Sequence, residues 1–158
     1  MAAAPAAVSF ETTASVRDTC LCLHAQRAAR ALARRFDEAL RPGGLTNSQF
    51  SLLNALNGLQ PKTQGALATL LGADRTTLTA ALKPLVRQGL ARIGADADDG
   101  RVRRIALTAQ GRGRLAAALP LWAEAHGALE AELDGAHLGR IRHDLNALSA
   151  PRRGLSNS

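Results

Sequence analysis

Residues 89–111, GLARIGADADDGRVRRIALTAQG, restrict the fold of this chain more tightly than any other stretch. Two short runs, 90–94 and 103–107, read as strands, and the acidic-then-basic turn between them passes through Asp98, Asp99 and Gly100, the residue types that close a tight hairpin. Thr108 follows the second run, with its hydroxyl placed to cap a helix. The stretch before the hairpin, LGADRTTLTAALKPLVRQG, has the turn chemistry of a helix pair. Gly72 and Ala73 separate two short helices, Asp74 caps the second over 75–88, and Gly89 stands at the position just past its end. Helix, turn, helix and wing in that order predict a winged helix-turn-helix.

The remaining chain supplies helices. Residues 1–14 are rich in Ala, Pro, Ser and Thr, lack useful periodicity and read as a tail. Over 16–40, Leu21, Ala25, Ala28, Leu32, Phe36 and Leu40 recur at helical steps, while Arg27, Arg30, Arg34 and Arg41 lie off that stripe as a solvated face. Pro42-Gly43-Gly44 ends this helix. Thr46 and Gln49 form a capping box for a helix over 48–56, and Gly58 to Pro61 closes it. Thr63 caps the first helix of the pair, which stops at Gly72. After the wing, Thr108 opens a long helix with apolar positions Leu115, Leu119, Trp122, Leu129 and Leu133, His126 in the remaining slot and an expected kink at Pro120. Asp134 or Gly135 opens a last helix with Leu138, Ile141, Leu145 and Leu148, and 151–158 read as frayed.

The expected fold is therefore mainly α with a small β-wing. A winged helix-turn-helix DNA-binding lobe (about 45–108) and helical dimerisation regions (about 16–41 and 108–150) share one domain over 15–150. The apolar seams offer more surface than one small module can cover, so the reading pairs two copies. Their recognition helices would then lie about 34 Å apart, one turn of DNA.

Composition agrees. Hydrophobic residues make up 46% but aromatics only 3%, which favours helices packed by Ala and Leu. Twenty Lys and Arg against thirteen Asp and Glu give a net charge of +7, suited to a polyanionic partner. No apolar run is long enough to span a bilayer, the N-terminus lacks the basic region and apolar core of a secretory signal, and Cys20 and Cys22 make no disulfide framework. A cytoplasmic protein is expected. No enzyme is expected either, because no Gly-rich phosphate loop, paired carboxylate motif or nucleophile beside a base assembles. No cofactor or metal is implied.

Three stretches together resemble the MarR family of bacterial transcriptional regulators, over about residues 16–150. They are Leu45-Thr46-x-x-Gln49-Phe50, Asp74-Arg75-Thr76-Thr77-Leu78-Thr79 followed by Leu82-Lys83-Pro84-Leu85, and Asp99-x-Arg101 with Leu107-Thr108-x-x-Gly111. The resemblance implies a homodimer that binds a palindromic operator on double-stranded DNA and is released by a small ligand or by oxidation. A different class also fits the charge: a nucleoid-associated protein that binds DNA through phosphates with low sequence specificity.

Within that frame the candidate DNA contacts are Arg75, Thr76, Thr77, Thr79, Lys83 and Arg87 on the recognition helix. Arg75, Thr76 and Thr79 share its N-terminal face, where Arg can hold guanine and a Thr methyl can meet thymine. Lys83 and Arg87 are expected at phosphates. In the wing, Arg101 is expected in the minor groove, with Asp99 orienting its guanidinium; the alternative is a weak surface ion pair between the two. Arg103 and Arg104 must face opposite ways on their strand, and Arg103 is assigned to the DNA side. Cys20 and Cys22 have two readings, small core residues or, by resemblance to a peroxide-sensing branch of the family, reactive thiols beside His24 and Arg27. As metal ligands, Cys20 and His24 would share a helix face from which Cys22 turns away.

Overall fold

The computed structural model describes residues 8–58, 60, 62–96, 98–133 and 135–149. The expectations for 1–7, for Pro61, for Asp134 as a helix start and for 151–158 lie outside the described residues. The chain divides into two compact units, residues 1–35 and 36–158.

In the first unit, α1 (Phe10–Thr19) begins at Ser9, whose Oγ accepts the Thr12 N–H at 3.2 Å. Residues 10–14, expected in a tail, are helical. No residue of α1 is buried, so there was no apolar stripe to reveal it. The single helix expected over 16–40 is divided at Cys20, where ψ is 103°. Cys20 ends α1 by donating its N–H to the Val16 carbonyl (2.9 Å). It also starts α2 (Leu21–Leu40), since its carbonyl accepts from the His24 N–H (3.1 Å) and its thiol from the Leu23 N–H (3.5 Å).

The second unit takes in the end of α2, where Phe36 and Leu40 are buried, and continues through a 3-10 turn (Arg41–Gly43) to α3 (Asn47–Leu56). The capping box is present: Thr46 Oγ1 accepts the Gln49 N–H (3.2 Å) and Gln49 Oε1 accepts the Thr46 N–H (3.0 Å). A two-residue strand β1 (Lys62–Thr63) precedes α4 (Gln64–Leu71), which Thr63 caps. Gly72, at φ 60°, takes the left-handed turn that a side chain would strain, and α5 (Arg75–Arg87) follows behind the Asp74 cap. The wing is β2 (Ala91–Ala95) and β3 (Arg103–Leu107), one residue later than expected for the first strand. The sheet order is β1-β3-β2, all antiparallel, with Ile93 opposite Ile105 and Lys62 also paired to Ile105. β1 was not anticipated, since two residues carry no readable period.

α6 (Ala109–Glu132) runs on through Pro120, and α7 (Gly135–Ser149) follows. α6 is continuous through Pro120, whose ring removes one bond to the carbonyl four residues back. The core gathers Leu52, Leu53 and Leu56 of α3, Leu67 of α4, Leu78, Leu82 and Leu85 of α5, Ile105 and Leu107 of the wing and Leu115 of α6. Each of these leucines or isoleucines removes enough apolar area from water to contribute about 1.5–3 kcal/mol. His126 fills its slot in the apolar repeat by stacking on Trp122 (4.7 Å between rings), which in turn stacks on Phe50.

Candidate nucleic-acid interface

The α5 sequence sorts its residues by face. Leu78, Leu82 and Leu85 are buried, while Arg75, Thr76, Lys83 and Arg87 are exposed on the other side. The cap that starts the helix has consequences for two of the threonines. Asp74 accepts both the Thr77 N–H (2.8 Å) and the Thr77 hydroxyl (2.6 Å), which hold its carboxyl below the usual range. Thr77 is therefore committed to the cap and lines a cleft with Ser48, Ser51 and Ala81, away from the other candidates. The Thr79 hydroxyl is also occupied: it donates to the Arg75 carbonyl (2.7 Å) and accepts from Gln64 Nε2 of α4 (2.7 Å). Its proton is thus committed, and its methyl group is free to meet a base.

Between α5 and the wing runs a groove of about 600 Å³, lined by Gln64, Arg75, Thr79, Lys83 and Arg87 on one side and Ile93, Arg103 and Ile105 on the other, with Leu82 and Val86. The structure thus brings Arg75, Thr79, Lys83, Arg87 and Arg103 together from two separate elements. Among the described residues four cations border it over an apolar floor and no acidic residue lines it. Its electrostatics suit a phosphodiester strand, whose charges meet guanidinium and ammonium groups while its sugars rest on aliphatic carbons.

Arg103 and Arg104 face opposite sides of the sheet as alternation requires, Arg103 toward this groove. Arg104 is engaged elsewhere. Its Nε donates to Asp96 Oδ2 in the wing's ion pair, while Asp96 Oδ1 accepts the N–H groups of Asp98 (2.9 Å) and Asp99 (3.2 Å). The Asp96 side chain is only 11% exposed, and the Asp98 amide, then Arg104, then the Asp99 amide hold its carboxyl below the ordinary carboxylate range. Asp99 does not clamp the Arg101 guanidinium as expected. Its Oδ1 accepts the Arg101 backbone N–H (2.9 Å), a local turn closed by an Asp side chain, which leaves the exposed Arg101 side chain to project from the tip.

Asp96 and Gln64 are the residues missed in the sequence, together with the ion pair that holds Arg104. An Asp two and three residues ahead of turn amides is a readable signal for Asp96. The Gln64–Thr79 bond joins two elements and has no local signature.

In the first unit, Cys22 is exposed and its Sγ accepts from Gln26 Nε2 (3.3 Å), and Cys20 is half-buried at the α1–α2 junction. The core reading of this pair is corrected: both thiols lie at the helix surface or its cap. His24 turns its Nε2 to the Asp18 carbonyl oxygen (3.1 Å). Among the described residues no cluster of three or more potential metal ligands forms, and no helix is long and apolar enough to cross a membrane.

Comparison with known proteins adds to this geometry. The MarR family profile matches residues 43–102, which span α3 to the wing tip. The M. tuberculosis transcriptional regulator MosR, solved in complex with DNA, is 43% identical, with 82% of this chain and 93% of that one covered and a TM-score of 0.74. The transcriptional repressor CouR, bound to a 23-mer DNA duplex, is 28% identical over 85% of this chain and 96% of its own, with a TM-score of 0.76. An uncharacterized HTH-type transcriptional regulator of Bacillus subtilis, YwoH, is 35% identical over 63 residues, 40% of this chain. The matched region spans 46% of YwoH.

Proposed function

The chain belongs to the MarR family of winged-helix, DNA-binding transcriptional regulators, and from that premise we propose that it is a homodimeric repressor reading a pseudo-palindromic operator. The observation that carries this reading is the groove between α5 and the wing, with Arg75, Lys83, Arg87 and Arg103 along it and Arg101 beyond it at the tip. The exposed N-terminal half of α5 enters the major groove, where Arg75, Thr76 and the Thr79 methyl meet base edges. Lys83, Arg87 and Arg103 hold the phosphodiester strand that passes between the two DNA grooves. Arg101 enters the adjacent minor groove, with Asp99 acting on the backbone of the turn and not on the guanidinium.

Dimerisation covers the apolar side chains that α7 leaves in solvent, Ile141, Leu145 and Leu148, and matches a two-fold operator. Release follows from a small ligand or from oxidation at Cys20 or Cys22. The exposure of Cys22 supports the second route.

Affinity for a duplex selected by the protein from a random-sequence pool, measured against a scrambled duplex at matched salt, tests the reading. A sequence-specific regulator favours the selected duplex by about 10³ or more. Affinities within a few-fold of each other would instead identify a low-specificity, nucleoid-type DNA binder.

A further inference from the structure

The Leu107-Thr108-x-x-Gly111 signature at the wing's exit does more than start a helix. Thr108 caps α6 in the ordinary way, its Oγ1 accepting the Gly111 N–H at 2.9 Å. The same hydroxyl donates its proton back to the chain leaving α5, to the carbonyls of Gly89 (2.7 Å) and Leu90 (3.1 Å). The Thr108 N–H also donates to the Leu90 carbonyl, at 3.1 Å. Gly89 and Leu90 are in turn tied to the last turn of α5, Gly89 N–H to Val86 O (3.0 Å) and Leu90 N–H to Leu85 O (2.8 Å). An unbroken relay of hydrogen bonds thus runs from the end of α5, across the base of β2, to the first turn of α6.

Gly111 shows how closely the pieces approach. A Cβ placed there would lie 2.0 Å from the Leu90 carbonyl oxygen and 2.8 Å from Leu107 Cδ1. Backbone must shift to admit any side chain, because the obstacle is a carbonyl and not a flexible tip.

We infer that Thr108 and Gly111 are positioning residues for DNA reading: they clamp the N-terminus of α6 to the C-terminal end of α5 and thereby fix the direction in which α5 and the wing are presented. This inference rests on the regulator reading above. The lever is long. With thirteen residues α5 is about 20 Å in length, so a tilt of about 5° at its Gly89 end moves Arg75 by about 1.7 Å. A shift of that size breaks hydrogen bonds to base edges but leaves long, flexible cations in reach of phosphates.

The test uses the full chain, the pool-selected duplex and a scrambled duplex at matched salt, with thermal melts of each variant. Thr108→Val keeps the branched shape and removes the hydroxyl, leaving carbonyls short of a donor and the Gly111 N–H without its acceptor; it should lower the selected-to-scrambled affinity ratio about tenfold while scrambled-duplex binding persists. Thr108→Ser should restore the ratio. Gly111→Ala should lower it at least as much as Thr108→Val, and if it does not fold, the Thr108 pair still decides. A Thr108→Val ratio equal to wild type, or a Thr108→Ser ratio as low as that of Thr108→Val, overturns the inference. A wild-type protein that enriches no sequence from the pool overturns the regulator reading itself, and is distinguishable because it needs no variant.

Discussion

At the scale of single residues the wing tip is governed by a carboxylate that never needs to touch DNA. Asp96 holds two turn amides and the Arg104 guanidinium at once, and the turn it organises presents Arg101. Its native pKa is depressed, so its contribution to folding is complete above the unfolded value of about 3.9 and is lost as pH falls through the lower native value. This carboxylate's contribution is therefore constant near neutrality. Asp96→Asn should speed amide exchange at Asp98 and Asp99 at pH 7 and weaken operator binding by about tenfold or less, because the carboxamide keeps an acceptor but loses the charge. Unchanged exchange at both amides would contradict this role. Arg101→Ala, by contrast, leaves the turn intact, since the Arg101 link to Asp99 runs through the backbone. It should lower operator affinity about tenfold or more with the dimer preserved, as gel-shift titration and sedimentation would report.

Among the elements, the strands of the wing divide their cations by face. Arg103 lines the groove beside α5 while Arg104 is held by Asp96, and alternation along β3 enforces the division. Arg103→Gln should therefore reduce the slope of log affinity against log salt by about 1 without altering which sequence is preferred. An unchanged slope would remove Arg103 from the interface. Most elements were legible because each carries its own punctuation. Thr46, Thr63, Asp74 and Thr108 all cap the helices they were expected to cap, and Gly72 and Gly89 take positive φ at the ends. What stayed hidden lacked local chemistry or a period: β1 is too short, α1 buries nothing, and the break at Cys20 falls just ahead of a stripe that begins only at Leu21. The cation positions followed from periodicity, whereas the loss of Thr77 to its cap and the engagement of the Thr79 hydroxyl by Gln64 depend on hydrogen bonds that spacing does not reveal.

For the whole molecule, the net charge of +7 and the groove suit a phosphate backbone, and the proposed two-fold pairing would add operator length and specificity. Leu145→Asp on α7, where Leu145 is 48% exposed in a single chain, should shift sedimentation from dimer to monomer. An unchanged dimer mass would move the interface away from α7. The seam that suggested pairing was readable as a repeat of Leu and Ile, and the residues proposed to read DNA stand out in the sequence as a helix face followed by a hairpin. In the proposed complex two such units bind a palindrome, each through α5 in the major groove and the wing in the minor groove. Hydroxyl-radical footprinting on the pool-selected duplex tests it most directly. Protection should be symmetric about a central dyad, with half-sites about 10 base pairs apart and flanking minor-groove protection that disappears in Arg101→Ala. Uniform protection without a dyad, or flanks unchanged in that variant, would contradict it.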